Sequence, residues 1–81
     1  MYENITALSL LPPGRRALVR ELTLFGAMRR RLRDLGFIGG AAVECLGRGP
    51  SGDPTAYLVR GAVIALRRAD AAGVLVEACP C

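Results

Sequence analysis

With 81 residues and a formal net charge of +4, the chain reads as one small domain, near the size at which a single hydrophobic core only just offsets chain entropy. A hydrophobic share of 52% against 22% charged excludes a disordered chain, and no apolar run reaches the roughly 18 residues that a bilayer span needs. It contains no histidine and no lysine, which removes Ser-His-Asp catalysis, imidazole metal sites, Walker-type phosphate loops and Schiff-base chemistry.

The chain begins "MYENITALSLLPPG", with Glu3 where a secretion signal carries positive charge, so the expected compartment is the cytosol. A short apolar entry, 5–11, stops at Pro12-Pro13-Gly14, which forces turn geometry. "RRALVREL", 15–22, has the length and residue types of a strand, although its alternation is imperfect. From Gly26 the period changes. Met28, Leu32 and Leu35 fall at i, i+4 and i+7 and predict a helix over 26–35. Gly36 stands where a left-handed cap ends such a helix, and Phe37 follows in position to pack back on the last turn. Arg30 and Asp34 have the spacing of a surface ion pair worth about 0.2–0.5 kcal/mol.

After Gly39-Gly40, "AAVECL" alternates as a half-buried strand. "GRGPSGDP", 47–54, is a dense turn. "TAYLVR" and "AVIALR" flank Gly61 as two antiparallel strands, with a very tight hairpin or a bulge between them. "RADAAG" supplies a turn or one short helical turn, and "VLVEA", 74–78, is a last strand. Five strands with one helix after the first leave exposed edges in a flat sheet of this size, and curling into a small barrel removes them. Met28, Leu32 and Leu35 then dock the helix on a core filled by Tyr57, Val59, Ile64, Leu66, Val74 and Val76.

Four blocks carry a resemblance in order and spacing: "LSLLPPG", "RRRLRDLGFIGG", "RGPSGDPTAYLVRG" and "ALRRADAAGVLVE". Their most specific residues are Arg31, Leu32, Asp34, Leu35 and Gly36, then Gly52, Asp53 and Pro54, with Arg60 and Gly61 later. Together they resemble the FeoA family of ferrous-iron-transport accessory proteins. Gly39-Gly40 replaces that family's usual Pro-Gly, and Ser51 and Thr55 replace aliphatics. The resemblance implies a mainly β, SH3-like barrel with one inserted helix. It also implies a non-enzymatic cytoplasmic protein, held at the inner face of the membrane by a FeoB-type GTPase-permease and supporting ferrous iron uptake.

The residues themselves suggest two contact surfaces. Arg29, Arg30 and Arg33 point away from the helix's apolar edge and form either a solvated face or a surface for an acidic protein, and the second reading is taken. Arg31 lies between Met28 and Leu35, so its stem borders the core and its role is structural. Period-2 geometry sends Leu58, Val63 and Leu75 outward, with Leu18 beside them, as a joint apolar patch for a partner or for self-association.

The remaining motifs have plain explanations. "GRGPSGDP" has the glycines of a phosphate cradle but lacks lysine and precedes a strand, which favours a turn. Cys79 and Cys81 are two soft ligands where a tetrahedral site needs four, and Cys45 sits on a core phase. No cofactor is therefore expected beyond weak transition-metal binding. The alternatives are a metal-responsive domain like that of iron-dependent repressors and, with only Tyr2, Phe25, Phe37 and Tyr57 as aromatics, a nucleic-acid-binding barrel. No nucleic-acid partner and no direct membrane insertion are expected.

Overall fold

The structure, a computed structural model, describes residues 5–78. Its strands are β1 (Ile5–Ala7), β2 (Arg16–Leu22), β3 (Ala42–Arg48), β4 (Thr55–Val59), β5 (Ala62–Leu66) and β6 (Val74–Ala78). They form one antiparallel sheet in the order β1-β6-β2-β3-β4-β5. Helix α1 (Gly26–Leu35) follows β2, a short α2 (Arg68–Ala71) precedes β6, and a 3-10 turn covers Leu8–Leu10.

The sheet has six strands where five were expected. Ile5–Ala7 pairs with Glu77, Val76 and Leu75, and three residues are too few for periodicity to mark them. The helix consequently follows the second strand, not the first. Nor do the strands close a ring among the described residues, because β1 and β5 remain the two ends of the order. Leu8, which opens the 3-10 turn, and Leu11, which follows it, are buried and complete the core instead.

Two bulges shape this sheet. In β2, Ala17 and Val19 point inward, but the register against β6 shifts between Val19 and Glu21, so Leu22 takes the inward phase opposite Val74. The imperfect alternation of "RRALVREL" is that shift: Arg20 is the extra residue. In β3, Val43 and Cys45 are buried, and the register against β4 shifts between Cys45 and Gly47. A bulge bends its strand and increases local twist, which is how a short sheet wraps a core.

The remaining strands keep one phase. Thr55, Tyr57 and Val59 of β4, Leu66 of β5, and Val74 and Val76 of β6 are buried, and Ile64 packs on them half-buried. The Tyr57 hydroxyl donates to the Leu8 carbonyl at 3.5 Å, fastening the entry segment to β4. The β4–β5 turn is made by two residues, Arg60 and Gly61, at φ 51° and 82°. Positive φ at both central positions is the turn whose twist matches paired strands.

Helix α1 has the bounds the spacing predicts. Leu32 is fully buried and Met28 packs on the core, but Leu35 is 36% exposed and lies at the rim. At the C-terminus Gly36 has φ 115°. Its N–H donates to the Arg33 carbonyl and the Phe37 N–H to the Leu32 carbonyl, both at 3.0 Å. This paired closure satisfies two orphan carbonyls and drives Phe37, fully buried, into the core. A Cβ on Gly36 would stand 2.9 Å from Cδ of Arg60, so the arginine stem of the β4–β5 turn lies over the helix end.

Gly73 makes the other close approach, since a Cβ there would sit 2.5 Å from Cγ of Leu24. Thr23 anchors the same joint, its N–H and its Oγ1 both donating to the Gly73 carbonyl at 2.7 and 3.0 Å. Gly73→Ala must displace a side chain near its root, and it is expected to lower unfolding free energy by about 1–3 kcal/mol. Urea denaturation followed by circular dichroism checks this, and Leu24→Ala combined with Gly73→Ala should be less destabilised than the sum of the two singles.

Candidate partner-binding surfaces

Arg29, Arg30 and Arg33 are exposed on α1, as the helical spacing required. Arg29 and Arg33, one turn apart, line two adjoining clefts. One, of about 530 Å³, is completed by Gly26, Arg30, Asp34 and Ile38. The other, of about 260 Å³, lies between α1 and β2 and adds Arg20, Glu21 and Phe37. Arg20 therefore joins the basic surface, held by its own ion pair with Glu77 of β6 at 3.3 Å. Its charge was visible in the sequence, but its placement depends on the bulge in β2. Phe25, just before α1, is 88% exposed beside this face.

The Arg30–Asp34 pair expected from spacing is absent among the described residues, where the ion pair formed is Arg20–Glu77. Four-residue spacing brings two charges near each other, but solvation of exposed side chains competes with a contact worth so little. Arg31 forms no hydrogen bond or ion pair among the described residues. Its side chain is exposed and lines a groove with Met28, Leu35 and β5.

Leu58, Val63 and Leu75 do point outward, but they do not form one patch. Leu58 and Val63 are directly opposed across β4 and β5, and Val63 is 67% exposed. Leu75, on β6, is separated from β4 by two strands, β2 and β3, and pairs with Ala7 and Glu21. Leu18 sits between Glu77 and Ala42, and β3 separates it from Leu58 on β4. Period 2 assigned the face correctly, whereas strand order, unreadable from periodicity, put β2 and β3 between the aliphatics.

The glycine-rich loop 49–54 is a structural joint. Gly49 N–H donates to the Pro54 carbonyl at 2.9 Å and Gly52 N–H to the Gly49 carbonyl at 2.8 Å. Asp53 turns out of the loop, and its Oδ1 accepts the Arg68 N–H at 2.9 Å, capping the start of α2. The sequence signal for this role was weak, since the capped helix lies fifteen residues away. One oxygen of its carboxylate is thus committed to backbone.

Two titratable side chains, Cys45 and Tyr57, are buried among the described residues. Burial pushes the Cys45 thiol above its ordinary value of 9.0, against a smaller opposite pull from Arg48, and burial likewise raises the Tyr57 phenol. Among the described residues no three Cys, Asp or Glu side chains gather as a metal site. Cys79 and Cys81 lie outside the described residues. No helix among those described is long and apolar enough to cross a membrane.

A family model described as FeoA domain matches residues 6–78. The chain is similar to the FeoA protein of Chlorobium tepidum at 38% identity and a TM-score of 0.85, over 90% of this chain and 70% of that one. It is also similar to the FeoA of Stenotrophomonas maltophilia complexed with zinc, described as a prokaryotic SH3 domain protein and a candidate ferrous iron transport activating factor. That match has 36% identity and a TM-score of 0.81, over 89% of each chain. A manganese-dependent transcriptional repressor, 16% identical, shares the fold at a TM-score of 0.82 over 93% of this chain and 42% of that one. No curated protein matches the chain.

Two predictions follow from the committed side chains. Asp53→Ala uncaps α2 and is expected to lower stability by about 0.5–2 kcal/mol, with Asp53→Asn retaining most of it, as read by thermal denaturation. The raised Cys45 thiol gives a stability contribution that is full below its unfolded value and declines as pH rises through and beyond 9.0. At neutral pH, iodoacetamide followed by peptide mapping should leave Cys45 unmodified in the native protein and alkylate it in urea.

Proposed function

Because the chain belongs to the FeoA family, we propose that it is a non-enzymatic accessory protein that binds the cytosolic part of a FeoB-type ferrous iron transporter and supports ferrous iron uptake. The family match over residues 6–78 carries this reading. Consistent with it, three polar side chains serve as joints of the fold: Asp53 on α2, Thr23 on Gly73, Tyr57 on Leu8. What the molecule offers outward is charge and shape.

The contact face is the arginine-lined side of α1, Arg29, Arg30 and Arg33 with Arg20 across the cleft. Three guanidiniums on a rigid helix, with Arg20 beside them held by Glu77, suit an acidic protein surface, since the planar fork of an exposed arginine takes a carboxylate in two parallel bonds. Exposed pairs of this kind act mainly on encounter rate and orientation. The fold would then work as an adaptor at the inner face of the membrane, carried there by its partner.

The test is a titration of the protein against the purified cytosolic domain of a FeoB-type transporter. Binding is expected, and Arg29→Glu/Arg30→Glu/Arg33→Glu should weaken it at least tenfold, about 1.4 kcal/mol. Raising salt from about 0.1 M to about 1 M, which shortens the screening length from about 10 Å to about 3 Å, should weaken it similarly. No binding with or without guanine nucleotide defeats the reading.

A further inference from the structure

Strand β5 is a sheet edge with none of the devices that usually blunt one. Its residues, Ala62-Val63-Ile64-Ala65-Leu66, include no charge and no proline, and its register with β4 is unbroken. Edges of this kind are templates for an added strand. The opposite edge, β1, has only three residues.

The turn fixes which groups are free. Val59 and Ala62 flank the two-residue turn and are paired, so hydrogen-bonded pairs fall at Ala62, Ile64 and Leu66, and the N–H and C=O of Val63 and Ala65 point away from the sheet. Among the described residues no hydrogen bond outside the strand ladder reaches β5. Beside the strand runs a groove of about 400 Å³, lined by Met28, Leu32 and Leu35 of α1 and by Ile64 and Leu66 of β5. Side chains of an added strand that face inward would enter it and cover the exposed part of Leu35.

Charge decides the occupant. Arg60 stands at one end of β5 and Arg67 and Arg68 at the other, with Arg31 in the groove wall; Asp70 is the acid among the lining residues. A second copy pairing edge to edge by a two-fold axis must run antiparallel, which sets each Arg60 end against the partner's Arg67-Arg68 end. Like charges then oppose at both ends, between molecules that each carry +4. A segment with acidic flanks meets complementary charge at both.

We propose that β5 is a docking strand, which takes an extended segment of another protein, apolar at alternate positions and flanked by Asp or Glu, as an additional strand of the sheet. Main-chain bonds to Val63 and Ala65 supply the pairing, the α1–β5 groove takes alternate side chains, and the arginines select the flanks. Neither the edge nor its charge depends on which protein supplies the segment, and the Arg29/Arg30/Arg33 face lies on other sides of α1.

Three blocked peptides test this: Glu-Glu-Val-Thr-Val-Thr-Val-Glu-Glu, the same core with lysine flanks, and the acidic peptide N-methylated at alternate core residues. The acidic peptide is expected to slow amide exchange at Val63 and Ala65, to bind at least tenfold tighter than the lysine peptide, and to lose binding on N-methylation. Ala65→Pro removes an edge donor without touching the β4 ladder, and Val63→Lys adds an edge charge; each should weaken binding tenfold or more. Arg29→Glu/Arg30→Glu/Arg33→Glu should bind the peptide as the parent does, which separates this result from the transporter titration. Unchanged exchange at Val63 and Ala65 at about 1 mM acidic peptide, equal binding of the N-methylated peptide, or protection that grows with protein concentration alone, the mark of self-pairing, each overturns the proposal.

Discussion

A sheet this small encloses a core only if it bends sharply, and the two bulges, at Arg20 in β2 and Leu46 in β3, supply the bend. Each adds one residue against its partner strand. Each also resets which side chains face inward, so that Val19 and Leu22 both reach the core although they are three residues apart. The exposed positions of Arg20 and Leu46 are the other side of the same event: the extra residue of each bulge is turned outward. Without the resets, period 2 would carry Glu21 inward in place of Leu22, and a buried unpaired carboxylate is far costlier than the bulge.

The same economy explains the helix. α1 has no side-chain cap at its N-terminus, and its firm end is the other one, where Gly36 reverses the chain and sends Phe37 inward. The reversal also makes room for the stem of Arg60, so the β4–β5 turn and the helix end are fitted to each other. Gly36, Gly61 and Asp53 belong to the motifs by which the chain resembles its family, and each proves to be a joint between elements. Residues that recur in spacing across such blocks can thus mark assembly of the fold as readily as contact with a ligand.

What is left for function after the joints are made is surface. The arginines divide by that rule: Arg60 lies over a helix end, Arg20 pairs with Glu77, and the α1 face is exposed beside two clefts. The two contacts proposed above draw on that remainder: charge placed on a rigid helix, and an unblunted strand edge open to main-chain pairing.

The sequence by itself determined the elements whose signals are local. The 3.6-residue spacing of Met28, Leu32 and Leu35 and the glycine after them placed α1, alternation placed β3 to β6 and their inward faces, and the absence of histidine and lysine removed most chemistry. Only the tertiary structure decided β1, which is a strand because β6 offers it an edge, and the phase shift in β2, which exists only against a partner. It alone showed that Leu75 lies apart from Leu58 and Val63, that Arg20 joins the helix arginines, and that Asp53 caps a helix fifteen residues away. The reason is common to all of these: strand order and register are set by contacts between segments distant in the chain, and periodicity within a segment carries no record of its neighbours.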